Sequence, residues 1–420
     1  MTRPLFYGWV VVAGAFVVLF LAYGAQYAFG VFFAALLEEF GWSRASLAGA
    51  FSLYAFVYSG CGALSGRLTD GLGPRAVIAL GGGFLGLGLM GMSQVSAIWH
   101  PFVLYGIVAA LGMSTAYVPC SATVVRWFVE QRGLAIGIAT AGGSLGTFAL
   151  PPIAYLLVTS VGWRWAYVVF GSVILVALNL VAVVMRPDPE SLGLAPDGRP
   201  PGAAGRRADG GARGFSVREA TRTGAFWMVW AVFAATWVPV FVPLVHLVPF
   251  AQDLGVPALL AATLVSALGI AAVAGRVLMG ALSDRIGRRA ALAAGFALQA
   301  IAFAAFPSAR ALPALYAAAA AFGFSYGAIS ALFPAVVSDF FGREHSGSLV
   351  GLLFTLAAPL AAGGPVGAGW IYDRTGGYEP AWWLSAGFNV LALALLACAR
   401  PPAPRGASRR AATELPARAP

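Results

Sequence analysis

One arginine stands where a charge is expensive. Arg276 lies about midway along an apolar run at 258–282, eight residues before Asp284. In a helix that separation is roughly 12 Å of rise. If the run crosses a membrane, a cation at that depth costs at least ~2.5–3.5 kcal/mol and usually faces a cavity or pathway. A guanidinium is also a planar fork that matches a carboxylate through two hydrogen bonds. Arg276 is therefore the candidate ligand for a carboxylate solute. The alternative is an arginine that snorkels to the interface or is paired structurally. Eight residues is too far for easy snorkelling, which favours the ligand. His246 is the second candidate, because its unperturbed pKa of about 6.5 suits a proton carrier. It sits between Pro243 and Pro249, a spacing that predicts a broken helix. There it either carries a proton or caps the break and lines an outer vestibule. Two carboxylates complete the set. Asp70 stands near Arg75, and Asp284 near Arg285, Arg288 and Arg289. A carboxylate so placed can meet an arginine and the positive N-terminus of a neighbouring helix. Such a cluster can latch one side shut and open in another state; a plain topology marker is the alternative.

The elements that must hold these groups are hydrophobic. The chain has 420 residues, 60% hydrophobic and 10% charged, with a mean hydropathy of +0.82. A soluble domain carries about 25% charged residues. The composition excludes a disordered chain, a coiled coil, a collagen and an ordinary cytosolic enzyme. Three cysteines exclude a disulfide scaffold; Cys61, Cys120 and Cys398 read as buried thiols. Apolar runs fall near 7–37, 45–67, 75–97, 100–124, 132–158, 164–185, 224–250, 258–282, 290–308, 312–337, 345–371 and 381–399. Each approaches or exceeds the ~20 residues of a membrane span. Lipid offers backbone groups no water, so the runs must be helices. The fold class is all-α and polytopic, with twelve transmembrane helices.

All 26 basic residues are arginine, and the net charge is +10. They sit in short gaps and two tails, not on a face interleaved with aromatics, so no nucleic-acid partner is expected. The gaps and tails that share a side with both termini hold 21 of them, and the other side holds Arg44, Arg164, Arg310 and Arg374. That bias puts both termini in the cytoplasm. The predicted organisation is a six-helix half at 1–186, a flexible cytoplasmic linker at 187–223, a second half at 224–400 and a disordered tail at 401–420. No removable signal peptide is expected at the first span.

The halves repeat one another. Gly66-Arg-Leu-Thr-Asp70-Gly-Leu-Gly73 follows the second span, and Gly280-Ala-Leu-Ser-Asp284-Arg-Ile-Gly287 follows the eighth, 214 residues later. The same offset relates Gly133 to Gly347, Gly137 to Gly351 and Pro151 to Pro365. Repeats at matching positions of two six-helix halves predict a transporter with its substrate site at the midplane between them.

The two loops resemble the signature loop of the major facilitator superfamily, over nearly the whole chain. Four stretches resemble the monocarboxylate transporter and oxalate/formate antiporter group within it. They are Tyr7-Gly8-Trp9, the run from Arg126-Trp-Phe through Arg132-Gly-Leu-Ala to Gly142, Val245-His246-Leu-Val-Pro249, and Gly369-x-Ile-x-Asp373-x-x-Gly376-x-Tyr378. The resemblance implies the major facilitator fold, a gating role for Asp70, Arg75, Asp284, Arg285 and Arg288, and a substrate-binding arginine at Arg276. It also places Tyr27, Tyr117, Tyr326 and Phe333 around the central cavity. There the tyrosines can orient a substrate hydroxyl or keto oxygen, and Phe333 can limit substrate size; core or lipid-facing packing is the alternative. Leu145, in the Gly-rich fifth span, is an apolar candidate. Three departures stand out. Ala272 replaces the acid that many members place four residues before the arginine, Tyr27 aligns with their lysine in the first span, and Ser348–Tyr372 lacks the second cation of the oxalate exchangers. One buried cation favours a single carboxylate over two.

The expected function is secondary transport of small monocarboxylates such as lactate or pyruvate, coupled to protons, by alternating access. A formate- or oxalate-type exchanger and a non-transporting carboxylate sensor are the alternatives, and a cationic-drug exporter is disfavoured by the absence of an intramembrane acid. The expected surroundings are membrane lipid in the plasma or inner membrane, with a monomer as the transport unit. No cofactor, metal or enzymatic activity is expected. Gly81-x-Gly83-x-x-Gly86 sits inside an apolar run with no strand before it, which argues against dinucleotide binding. The Gly-x-x-x-Gly pairs read as close helix packing.

Overall fold

The computed structural model describes residues 6–42, 44–198 and 214–402. Arg3, Arg199, Arg206, Arg207, Arg213 and the tail from 403 onward lie outside the described residues. Seventeen α-helices account for the apolar runs. In the first half they are α1 (Gly8–Phe40), α2 (Arg44–Gly60), α3 (Gly62–Leu72), α4 (Pro74–Met92), α5 (Trp99–Val103), α6 (Ala110–Ser114), α7 (Tyr117–Trp127), α8 (Arg132–Val161) and α9 (Trp163–Val184). A single turn, α10 (Val217–Ala220), precedes the second half. That half comprises α11 (Gly224–Val240), α12 (Val242–Asp253), α13 (Ala258–Ile286), α14 (Arg288–Ala305), α15 (Leu312–Phe341), α16 (Ser346–Thr375) and α17 (Glu379–Cys398). Among the described residues 11 helices are long and apolar enough to cross a membrane. The twelfth expected span is divided into α2 and α3.

That division has a visible cause. Thr355, on α16, inserts its hydroxyl into the second span. The Ala63 N–H donates to Thr355 Oγ1 at 3.1 Å, and Thr355 Oγ1 lies 3.2 Å from the Ser59 carbonyl oxygen. Ala63 and Ser59 are four apart, so the hydroxyl takes the place of one rung of the helical ladder. A side chain inserted there is a recognised cause of helix bending. The fourth span is also irregular, with a π-helical turn at Leu104–Ala109 and a break at Thr115 and Ala116 just before Tyr117. The seventh breaks at Phe241, between α11 and α12. This corrects the expectation of a break between Pro243 and Pro249: α12 runs through both. Pro243 sits in its first turn, where a missing N–H costs nothing.

Small residues let the halves meet. A Cβ on Gly133 would lie 2.3 Å from the Gly280 oxygen, and one on Gly137 would lie 2.1 Å from the Arg276 oxygen. As one residue number rises the other falls, so α8 and α13 run antiparallel. The repeat-related pair behaves alike: a Cβ on Gly66 would lie 2.1 Å from the Gly347 oxygen, and one on Gly351 would lie 2.2 Å from the Gly62 oxygen. Such contacts need backbones that approach without side chains between them. Further from the signature loops the partners separate. A Cβ on Gly269 of α13, or on Gly363 or Gly367 of α16, would meet nothing within 4 Å. The two halves therefore touch at the signature-loop end and diverge beyond it. Even the loop backbone repeats, since Gly73 and Gly287, 214 residues apart, hold φ of 82° and 89°.

Two further expectations are corrected. Cys398 is exposed and Cys61 half-exposed; only Cys120 is buried. The first part of the linker is held, not loose. Asp197 accepts the backbone N–H groups of Val129 at 3.1 Å and Glu130 at 3.0 Å, and Glu190 pairs with Arg343.

Candidate functional site

Two charged regions emerge, one at the signature-loop end and one deeper. At the loop end, Asp70 pairs with Arg126. Its other oxygen accepts from the Ser348 N–H at 2.8 Å and the Ser348 hydroxyl at 2.6 Å, at the N-terminus of α16. Asp284 accepts from the Gly133 N–H at 2.9 Å and the Leu134 N–H at 3.0 Å, at the N-terminus of α8. Each carboxylate thus closes the helix N-terminus of the opposite half, where unpaired N–H groups and the helix dipole favour an anion. Gly133 and Gly347, related by the repeat, leave room for this approach: a Cβ on Gly133 would lie 3.0 Å from Asp284 Oδ1, and one on Gly347 would lie 2.8 Å from Asp70 Oδ1.

More bonds cross the same seam. Arg132 donates to Asp339 at 2.6 Å, and Arg288, which links Asp339 at 3.1 Å and Asp284 at 3.2 Å within the second half, reaches across to the Val129 carbonyl at 2.9 Å. Arg126 donates to the Glu344 carbonyl at 3.1 Å, and Arg343 donates back to the Arg126 carbonyl at 3.1 Å. Of the expected gating residues, the structure brings Asp70, Asp284 and Arg288 into this network. Arg75 and Arg285 are exposed, and among the described residues neither pairs with a carboxylate. Arg126 takes the place beside Asp70 that Arg75 was expected to hold, and Arg132 and Arg288 pair with Asp339, an acid outside the signature loops.

The deeper region is built on Arg276. Its residue is 8% exposed. Nε donates to Ser330 Oγ at 3.2 Å on α15, and Nη1 donates to Ser144 Oγ on α8. Its guanidinium carbon lies 5.6 Å from the centre of the Tyr326 ring, within cation–π range. Among the described residues no carboxylate lies within ion-pair distance of it. Tyr117 begins α7, just after the break in the fourth span, and its hydroxyl donates to the Ser330 carbonyl of the other half at 2.7 Å. Tyr27 and Tyr117 are both within electrostatic reach of Arg276. Tyr326 and Tyr117 therefore lie beside the arginine, Tyr326 under its guanidinium and Tyr117 through the shared Ser330.

The remaining candidates are dispersed. Phe333 is 4% exposed and stacks on Phe233, with ring centres 3.6 Å apart. Its ring is committed to packing inside the second half. Leu145 follows Ser144 directly and is exposed, with no polar role. His246 on α12 lies elsewhere: Nε2 is 2.9 Å from the Pro365 carbonyl oxygen and Nδ1 is 3.2 Å from the Tyr378 hydroxyl. A neutral ring satisfies both, with Nε2–H donating to the carbonyl and Nδ1 accepting from tyrosine. Ser144 and Ser330 are the site residues that sequence reasoning missed. Single serines in Gly-rich helices look like packing residues, although Ser144 stands seven residues from Gly137 and thus on the face of α8 that meets α13.

Comparison with known proteins agrees with this architecture. The sequence matches the Major Facilitator Superfamily over residues 15–363 and again over 240–419. It is 29% identical to monocarboxylate transporter 12-B of Danio rerio, covering 93% of this chain and 86% of that protein. It is 32% identical to monocarboxylate transporter 3 of Rattus norvegicus, covering 92% and 78%. Among solved structures, the human organic anion transporter MFSD10 superposes with a TM-score of 0.72 at 16% identity, covering 94% of this chain and 100% of that one. The proton:xylose symporter XylE superposes with a TM-score of 0.70 at 16% identity, covering 93% and 95%. The helical architecture, the paired signature loops and these matches agree that the chain belongs to the Major Facilitator Superfamily and is a membrane transporter, not an enzyme.

Proposed function

We propose that this protein moves a small monocarboxylate across the membrane by alternating access, with Arg276 holding the carboxylate. One observation carries the reading: Arg276 is buried and has no carboxylate partner among the described residues, whereas the equally buried Arg126 and Arg132 each have one. A buried cation without a counter-ion is costly, and an anionic solute is the natural group to neutralise it. Tyr117, Tyr326 and Tyr27 stand where a hydroxyl or keto oxygen of the solute needs a partner. The monocarboxylate transporters to which the chain is similar support that solute class. In this reading the described conformation is the one closed at the signature-loop end, which faces the cytoplasm by the arginine bias. His246 is the proton carrier, acting at a distance through α16. The monomer is the transport unit.

A second reading has its own support. Without a built-in acid beside Arg276, the empty site must reorient with a bare cation. That favours exchange of one carboxylate for another over net uptake. Labelled lactate uptake into proteoliposomes with an inward proton gradient tests the proposal, with wild type and Arg276→Gln side by side. Accumulation by wild type alone supports it. Equal transport by both would show that Arg276 is structural. Counterflow that ignores the pH gradient would favour exchange, and a His246→Gln variant that keeps full gradient stimulation would remove His246 as carrier.

A further inference from the structure

The guanidinium of Arg276 is shared between the halves through two serines that differ in one respect. Ser330 Oγ, which accepts from Nε, spends its own hydrogen on the Gly327 carbonyl at 2.9 Å. Ser144 Oγ, which accepts from Nη1, has no acceptor for its hydrogen among the described residues. Ser144 is partly exposed, and α8 and α13 separate at its level, since Gly269 has open space where Gly137 and Arg276 are in contact. A hydroxyl that both accepts and donates can serve either a cation or an anion.

We infer that Ser144 is a positioning residue for the substrate carboxylate, which it engages from the opposite half to Arg276. In the empty site its oxygen accepts from Nη1. In the loaded site the carboxylate takes the Nη1 and Nη2 hydrogens, and the Ser144 hydroxyl turns to donate to that carboxylate. No bond beyond hydrogen bonds is made or broken, and the proton stays on the serine. Ser330 cannot make this turn, because its hydrogen is held within α15. The substrate then ties α8 to α13 at the mouth of their separation, joining the halves across the solute. This inference rests on the reading of Arg276 as the carboxylate ligand.

The test is initial-rate monocarboxylate uptake by Ser144→Ala, Ser144→Thr and Arg276→Gln in proteoliposomes, with lactate as the probe. Loss of one charge-assisted hydrogen bond predicts that Ser144→Ala raises KM about tenfold, with the maximal rate within about twofold of wild type. Ser144→Thr, which keeps the hydroxyl, returns KM toward wild type. The thermal unfolding midpoint without substrate stays unchanged in Ser144→Thr and falls by only a few degrees in Ser144→Ala, which loses the acceptor for Nη1. An unchanged KM in Ser144→Ala, beside inactive Arg276→Gln, overturns the inference and leaves the carboxylate reading standing. A fall in maximal rate at constant KM, or no rescue by threonine, also overturns it, because either marks a packing role. Wild-type transport by Arg276→Gln overturns both.

Discussion

Arg126 and Arg276 are buried alike, 9% and 8% exposed, yet their surroundings are opposite. Arg126 has Asp70 and two carbonyls of the other half. Arg276 has two serine hydroxyls and a tyrosine ring. The protein has supplied a permanent counter-ion at the loop end and withheld one at the centre. On the proposed reading, the Asp70–Arg126 pair braces the loop end, where each partner also bonds to the other half, while the unpaired Arg276 awaits an anionic solute.

The strongest way to break that contrast is to remove each cation. Arg276→Gln should cut lactate uptake by about a hundredfold or more, since a two-pronged charged contact is lost. Its thermal midpoint in detergent should hold, because no charged partner is stranded. Arg126→Gln should lower that midpoint by about 5 °C or more, since it strands the Asp70 carboxylate in a buried site. A fall in midpoint for Arg276→Gln would show that its role is structural.

Next in size is a variant that makes the centre resemble the latch. Ala272→Asp sets an acid one helical turn before Arg276. At neutral pH it should compete for the guanidinium and raise KM about tenfold. Lowering the pH protonates the new acid and releases the arginine, so KM should fall again as pH falls. A KM in this variant that ignores pH would argue that position 272 does not reach the cation. A smaller effect is expected at the seam itself. Asp70→Asn keeps the shape but loses the charge, and should slow transport several-fold while substrate binding persists. Unchanged rates would reduce the loop to a topology marker. The smallest effect belongs to Thr355→Val, which removes the hydroxyl inserted in the second span. Uptake should change by only about twofold, with protection of the Ala63 amide from hydrogen exchange as the sharper readout.

The latch was only half legible in the sequence. Asp70 and Asp284 stood out because the repeat marks them 214 residues apart. Their partners did not, because sequence neighbours such as Arg75 and Arg285 point to solvent while the bonds run to residues distant in sequence. Asp70 meets Arg126 within its own half and the start of α16 across the seam; Asp284 meets the start of α8. Only helix packing, within and between the halves, decides that. The spans were read almost to their ends because lipid forces every apolar run into a helix. The interruptions at Cys61 and at Thr115–Ala116 were invisible for the opposite reason: side-chain and backbone geometry, not hydropathy, sets them. Arg276 was legible as a charge out of place. Ser144 and Ser330 were not, since a serine in a Gly-rich helix carries no such signal.

The hydroxyl of Thr355 gives the second span a property of its own. In this structure its ladder is incomplete where α16 lies against it, with Thr355 standing between Ala63 and Ser59. When the halves part at this end, the amide and carbonyl it leaves are four residues apart and can bond to each other. Separation then swaps hydrogen-bond partners instead of leaving two polar groups bare at membrane depth, where each would cost several kcal/mol. The curvature of the second span and the spacing of the halves become a single variable, and a spectroscopic probe of that helix's straightness would read the working state of the whole molecule.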